Sequence, residues 1–177
     1  MPRLSAEDAE AFLAEPHVGV LASLRRDGRP YTVPVWHLWD GEHVWITGTE
    51  SRVWCRQLMH DPRISLCVEA LAPVPAHVGI DGTAEVLRPP DFDIWPISRR
   101  LVEKYVGAAG GTARSGSDEA GDSSNDAAVD AFFANMQTEP RLLIRVTPEV
   151  WRAIDMRVYQ GKRADREHQA RVRGEGR

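Results

Sequence analysis

The sequence predicts a mainly β, α+β fold: a six-or-so-stranded antiparallel β-barrel carrying a few helices. Three observations predict it. Short runs rich in valine, isoleucine and tryptophan follow one another at close spacing, as in His17–Leu24, Tyr31–Leu38 and His43–Gly48. Asp27-Gly28 and Asp40-Gly41 separate them, and such pairs make tight hairpin turns rather than the long crossovers of a parallel sheet. A third run of strands, Arg63–Ala70, His77–Leu87 and Arg141–Val146, would leave open edges unless the sheet closed on itself.

The elements follow in order. Ser5-Ala6-Glu7-Asp8 has the form of a capping box, so a helix runs to Glu15 and stops at Pro16. Pro34, lacking an amide hydrogen, predicts a bulge or an unpaired stretch in the second strand. Ser51 is an N-cap for a helix over 52–60, ended by Asp61-Pro62. Gly79 and Gly82 mark bends or bulges in the fifth strand. Residues 91–106 form a helix with Phe92, Trp95, Leu101, Val102 and Tyr105 as its apolar positions, and 127–137 a shorter one. Between them, 107–126 is Gly, Ser, Ala and Asp with little to bury, which predicts a flexible insertion. A last barrel strand over 141–146 has 150–158 pairing beside it. The domain spans 1–160, and 161–177 is a basic tail expected to be disordered.

Composition narrows the function. With 22 basic and 26 acidic side chains the net charge is −4, so no global basic field favours nucleic acid. No apolar run reaches the roughly 18 residues of a membrane span. The acidic start is unlike a signal peptide, and Cys55 and Cys67 are too few for a disulfide framework, so a cytoplasmic protein is expected. Neither cysteine has a zinc-ligand spacing to another cysteine or histidine, so no metal site is expected; both read as packing residues. Four of the six tryptophans, Trp36, Trp39, Trp45 and Trp54, fall within nineteen positions. They either fill the core or wall a planar ligand.

The informative stretch is Gly19–Glu69. A strand over 43–48 runs into a helix whose first turn holds Ser51 and Arg52, with Arg56 four residues on and so on the same side. A helix start offers free amide hydrogens and the positive end of its dipole, and Thr47, Thr49 and Ser51 add hydroxyls. This set is either an anion site of the kind that holds phosphate or a capped surface helix with two solvated arginines. His37 is either a proton donor beside Trp36 or a strand histidine facing solvent or a partner. Ser23, Ser65 and Asp27 suggest no nucleophile–base triad, and catalytic residues stay unassigned.

Taken together, GVLASL, DGRP, VPVW, WDG, the strand ending in Thr47, Ser51-Arg52 and RQLMHDPR form an ordered set. That set resembles the pyridoxamine 5′-phosphate oxidase-like family of flavin-binding split barrels, which includes FMN enzymes and oxidoreductases dependent on the deazaflavin coenzyme F420. DGTAEVL and RLLIRVTPEVWRAID extend the resemblance to about residues 5–157. It implies a flavin-reductase-like split barrel and a homodimer with cofactor at the subunit interface. Val33, Pro34, Val35 and Trp36 would run alongside the cofactor ring, mainly through backbone; Ile46 and Thr47 would lie under the ring and its ribityl chain; Ser51, Arg52 and Arg56 would hold the phosphate. Many relatives have lysine where this chain has Trp54, which removes one cation and leaves Trp54 either to stack on the ligand or to pack. The resemblance implies an F420-dependent reductase of a small organic substrate by hydride transfer, with two alternatives: an FMN-dependent oxidase or reductase of the pyridoxamine phosphate oxidase type, and a non-catalytic module that stores or senses cofactor.

Overall fold

Ser5 does what its spacing predicts. Its side chain accepts a hydrogen bond from the Asp8 amide (3.0 Å) and caps α1, Ala6–Ala14. The computed structural model describes residues 3–72, 74–108 and 121–157, with side chains in the last stretch from Asn125 onward. Beyond α1 the chain lays down β1 (Gly19–Leu24), β2 (Pro30–Val35), β3 (Leu38–Trp39), β4 (Val44–Thr49), α2 (Val53–His60), β5 (Arg63–Ala70) and β6 (Ala76–Leu87). Then come α3 (Trp95–Val102), a π-helical turn (Glu103–Gly107), α4 (Gly121–Met136) and β7 (Arg141–Asp155).

All seven strands join one antiparallel sheet in the order β2-β1-β5-β6-β7-β4-β3. Its two end strands, β2 and β3, are separated in sequence only by Trp36 and His37. The three Cα steps from Val35 to Leu38 span at most about 11 Å, so the sheet must curl until its ends nearly meet. This is the split, barrel-like form that the hairpin spacing predicts, with seven strands rather than six. Leu21, Ile46, Leu66, Ile80, Leu142 and Ile144 point inward, essentially without exposure, and each contributes roughly 1.5–3 kcal/mol by leaving water. Phe12 and Leu13 of α1, and Trp54, Cys55 and Leu58 of α2, close that core. Outside the curl, Trp45 and Leu143 lie under Ile94, just before α3, Leu101 of α3 and Tyr105 of the π turn, forming a second cluster.

Several local expectations need correction. Pro34 is neither bulged nor unpaired. It stands in register opposite Val20, and it is tolerated because β2 is an edge strand with only one ladder to serve. Gly79 likewise sits in regular register, opposite Arg152. The bulge falls at Gly82, which faces Pro148 while Asp81 faces Val150, so Glu149 is the extra residue. A Cβ on Gly82 would meet the Thr147 carbonyl. That bulge absorbs Pro148, and so 141–146 and 150–155 form one strand instead of two. The expected helix over 91–106 begins only at Trp95 and widens into the π turn. Of the expected insertion 107–126, Gly107 closes the π turn and 121–126 belong to α4. Val129 and Met136 bury against Val102, and a helix nucleated by that contact propagates backward into polar sequence. The remainder of the insertion and the tail 161–177 lie outside the described residues.

Candidate cofactor site

Strand β4 alternates strictly. Val44 and Ile46 enter the inner core while Trp45 lies in the outer cluster. Thr47 and Thr49 share Trp45's side, opposite Leu143 and Arg141 of β7. Thr47 is half-buried, and its hydroxyl donates to the Leu142 carbonyl at 3.3 Å. The Thr49 and Ser51 hydroxyls are hydrogen-bonded to each other at 2.9 Å, and the Arg52 amide donates to the Thr49 carbonyl at 3.1 Å. The chain thus turns directly from β4 into α2.

Ser51 is not the cap of that helix. The N-cap is Arg52, which offers no side-chain acceptor, so the helix start has no side-chain cap. Arg56 is the first residue whose amide reaches back, to the Arg52 carbonyl at 3.3 Å. The amides of Val53, Trp54 and Cys55 are therefore without an intrahelical acceptor. Arg52 and Arg56 are exposed, and among the described residues neither has a carboxylate partner. Glu50, the nearest acid in sequence to Arg52, is ion-paired with Arg88.

A third cation, not foreseen from the sequence, completes the cluster. Arg141 faces Thr49 across the β4–β7 ladder. Its side chain is only 14% exposed and is held by the Glu139 carboxylate (3.2 Å) and the Met136 carbonyl (3.3 Å). Burial lowers its pKa, Glu139 works against that, and the nearby Arg52 guanidinium lowers it further. Arg141 lies in a strand whose sequence reads as core, so only the ladder register reveals it.

The remaining predicted residues divide. Pro34 is exposed and Val33 half-buried on β2, whose outer edge carries no strand among the described residues. Val35 and Ile46 are buried in the core, so only their main chains can meet a ligand. Trp36 is committed elsewhere: its ring lies parallel to that of Tyr105 at 4.8 Å and packs on Phe132. Trp54 packs rather than stacks on a ligand. It is 3% exposed, its ring edges Gly48, and its indole nitrogen is buried with no partner. Trp45 is likewise buried, so two of the clustered tryptophans fill core.

His37 fits neither expectation. It is wholly buried, because β2 ends at Val35 and strand alternation lapses in the two-residue link to β3. Burial, then the neighbouring Lys104 ammonium, push its pKa down to about 3, so it is neutral and no proton donor at ordinary pH. Cys67 also departs from simple packing, since its sulfur lies 3.6 Å from His77 Nδ1 on the outer sheet face. Burial raises the thiol's pKa, which leaves it an unactivated thiol.

The neutral state of His37 has a measurable consequence. The unfolded chain takes up a proton below pH 6.5, whereas the folded ring resists until about pH 3. Stability from this group is complete above pH 6.5 and is lost as pH falls through that window. The expected loss is on the order of a few kcal/mol by pH 3.5. Urea denaturation at pH 7 and pH 4 should show a smaller difference for His37→Gln than for the parent chain; equal differences would exclude His37 as the cause.

The sequence pattern of pyridoxamine 5′-phosphate oxidase matches residues 5–155. The chain belongs to the pyridoxamine 5′-phosphate oxidase family. No curated protein matches it. Among solved structures, a conserved hypothetical protein from Mycobacterium tuberculosis superposes with a TM-score of 0.63 at 22% identity, covering 87% of this chain and 86% of that one. An F420 reductase gives 0.56 at 22% identity, over 81% and 94%. An FAD-binding protein from Mesorhizobium loti gives 0.53 at 21% identity, over 85% and 94%. At these identities the likeness is one of fold. Among the described residues of this family member, no helix is long and apolar enough to cross a membrane, and no three potential metal ligands cluster.

The residues present suit a flavin-type cofactor. A phosphate needs donors and positive charge, and the start of α2 supplies three amides, the Thr49 and Ser51 hydroxyls, and Arg52 and Arg56. A planar ring with polar edges needs an unpaired backbone, and β2 supplies one.

Proposed function

We propose that this family member binds a flavin-type cofactor, with the phosphate at the start of α2 and the ring along β2, and serves as an oxidoreductase. The observation that carries the reading is the pair of exposed guanidiniums, Arg52 and Arg56, which have no carboxylate partner among the described residues, beside a helix start with no side-chain cap. When bound, such a cofactor supplies two-electron hydride chemistry. The chain's own residues bind and orient: the α2 start holds the anionic end, Thr47 presents a hydroxyl along the path, and main chain at 33–36 lines the ring.

Coenzyme F420 is the preferred cofactor and FMN the alternative. Two guanidiniums suffice for one phosphate. Arg141, ion-paired with Glu139, adds positive charge suited to a longer acidic tail. The F420 reductase of like fold is in keeping with this choice. The substrate is a small organic acceptor. Trp54 packs where the family resemblance implies a lysine, and a cofactor carrier without turnover is kept as the second reading.

The reading includes a homodimer in the cytoplasm. Val18 and Val20 are about half exposed, and Val20 stands beside exposed Pro34, so an apolar strip runs next to the open β2 edge. A second copy on this strip would cover both strip and ring. Native mass spectrometry with F420 and with FMN tests both points. The expected species is a dimer carrying two F420. A dimer retaining FMN alone reverses the cofactor choice, and a chain binding neither refutes the reading.

A further inference from the structure

Lys104 and Tyr105 are consecutive residues of the π turn, and both reach the short link between β2 and β3. The Tyr105 hydroxyl donates to the His17 carbonyl at 2.8 Å and accepts from the His37 amide at 3.0 Å. It also lies 3.0 Å from His37 Nδ1. The Lys104 ammonium donates to the carbonyls of Leu13 (2.6 Å) and His37 (2.9 Å), and its nitrogen lies 3.5 Å from His37 Nε2. The accounting closes with His37 neutral and its proton on Nδ1: Nδ1–H then donates to Tyr105, and Nε2 accepts from Lys104.

The turn thus ties three places together: the end of α1 at Leu13, the approach to β1 at His17, and His37 directly after the 33–36 segment. The parallel stack of Trp36 on Tyr105 adds a fourth tie. The charged and titratable groups facing Lys104 are Glu15 at the end of α1, His17 before β1, and His37 after β2. Burial lowers the Lys104 pKa to about 8 against the raising effect of Glu15. A part-buried ammonium with two carbonyl acceptors is held in place more firmly than packing alone requires. A π turn, with its widened ring, is itself a feature that concentrates where geometry serves a site.

We propose that Lys104 and Tyr105 are positioning residues that set the course of the 33–36 main chain, and so of the cofactor's ring-side edge, through His37 and Trp36. This rests on the cofactor reading above, but one arm of its test does not. Tyr105→Phe keeps the stacked ring and removes only the hydroxyl; Lys104→Met removes the amine and keeps the stem. Leu101→Ala serves as control, because Leu101 is buried in the same cluster but outside this hydrogen-bond set. Amide hydrogen exchange on the cofactor-free full chain is measured first. Both variants should exchange segment 33–37 at least about tenfold faster, the effect of losing roughly one hydrogen bond, while Leu101→Ala should loosen α3 and leave 33–37 unchanged. FMN and F420 titrations at a temperature where every variant is folded should then show about tenfold weaker binding for the two variants and parent affinity for the control. Unchanged exchange at 33–37 in both variants overturns the proposal whether or not cofactor binds. Parent-like affinity despite faster exchange also overturns it. A parent chain that binds neither cofactor sinks the functional reading, and the exchange data then decide the positioning claim alone.

Discussion

Replacing Arg52 and Arg56 together with glutamine should weaken binding of F420 and FMN by about 100-fold or more, leaving the thermal midpoint within a few degrees of the parent. Both guanidiniums are exposed and, among the described residues, without ion-pair partners, so the fold loses little by their removal. Each charge-assisted hydrogen bond to a phosphate contributes roughly 1.5–3 kcal/mol, and two lost bonds correspond to about two orders of magnitude or more in affinity. Raised ionic strength should weaken parent binding and affect the double variant far less, because the charges that salt screens are gone. Arg141→Gln should discriminate between the cofactors. Its charge is shared with Glu139, so FMN affinity should change little while that of the longer anion F420 falls more. Fluorescence titration of each variant with each cofactor gives these quantities. Parent-like affinity in the double variant would place the phosphate elsewhere.

How far the sequence reveals this arrangement depends on whether a feature is local. The hairpin turns at Asp27-Gly28 and Asp40-Gly41 are visible because glycine alone accommodates the backbone there: Gly28 and Gly41 both have positive φ, 81° and 100°. The order of strand, turn and helix around Arg52 is equally visible, since β4 and α2 are contiguous. Arg141 is not, because its place beside Thr49 comes from a ladder joining residues far apart in sequence. Nor is the burial of His37. Period-two alternation faces it away from its neighbours along a continuous strand, but the strand breaks at Val35 and the π turn, also distant in sequence, captures the ring. Trp54 shows the same limit. Its packing against Gly48 follows from how α2 folds back over β4, and no spacing within 52–60 distinguishes that from a ligand contact.

That fold-back makes Gly48 the position where core and site depend on one atom. A Cβ there would lie 2.9 Å from the Trp54 ring and would collide with the Cys55 sulfur. Cys55 is wholly buried and Trp54 nearly so, with core side chains behind both, so neither can retreat. Gly48→Val should therefore cost about 3 kcal/mol or more by overpacking, a fall in thermal midpoint of roughly 6–12 °C for a chain of this size. The damage is directional. The way to relieve the collision is to push α2 off β4, and that displaces Arg52 and the first-turn amides from Thr49. Cofactor affinity should then fall even at temperatures where the variant is folded. Cys55→Ala in the same chain opens room at the sulfur and should restore part of both losses, by a double-mutant cycle in stability and in affinity. Strict additivity of the two substitutions would show that the helix does not lean on this contact, and the link between the packed core and the phosphate end would have to be sought at another residue.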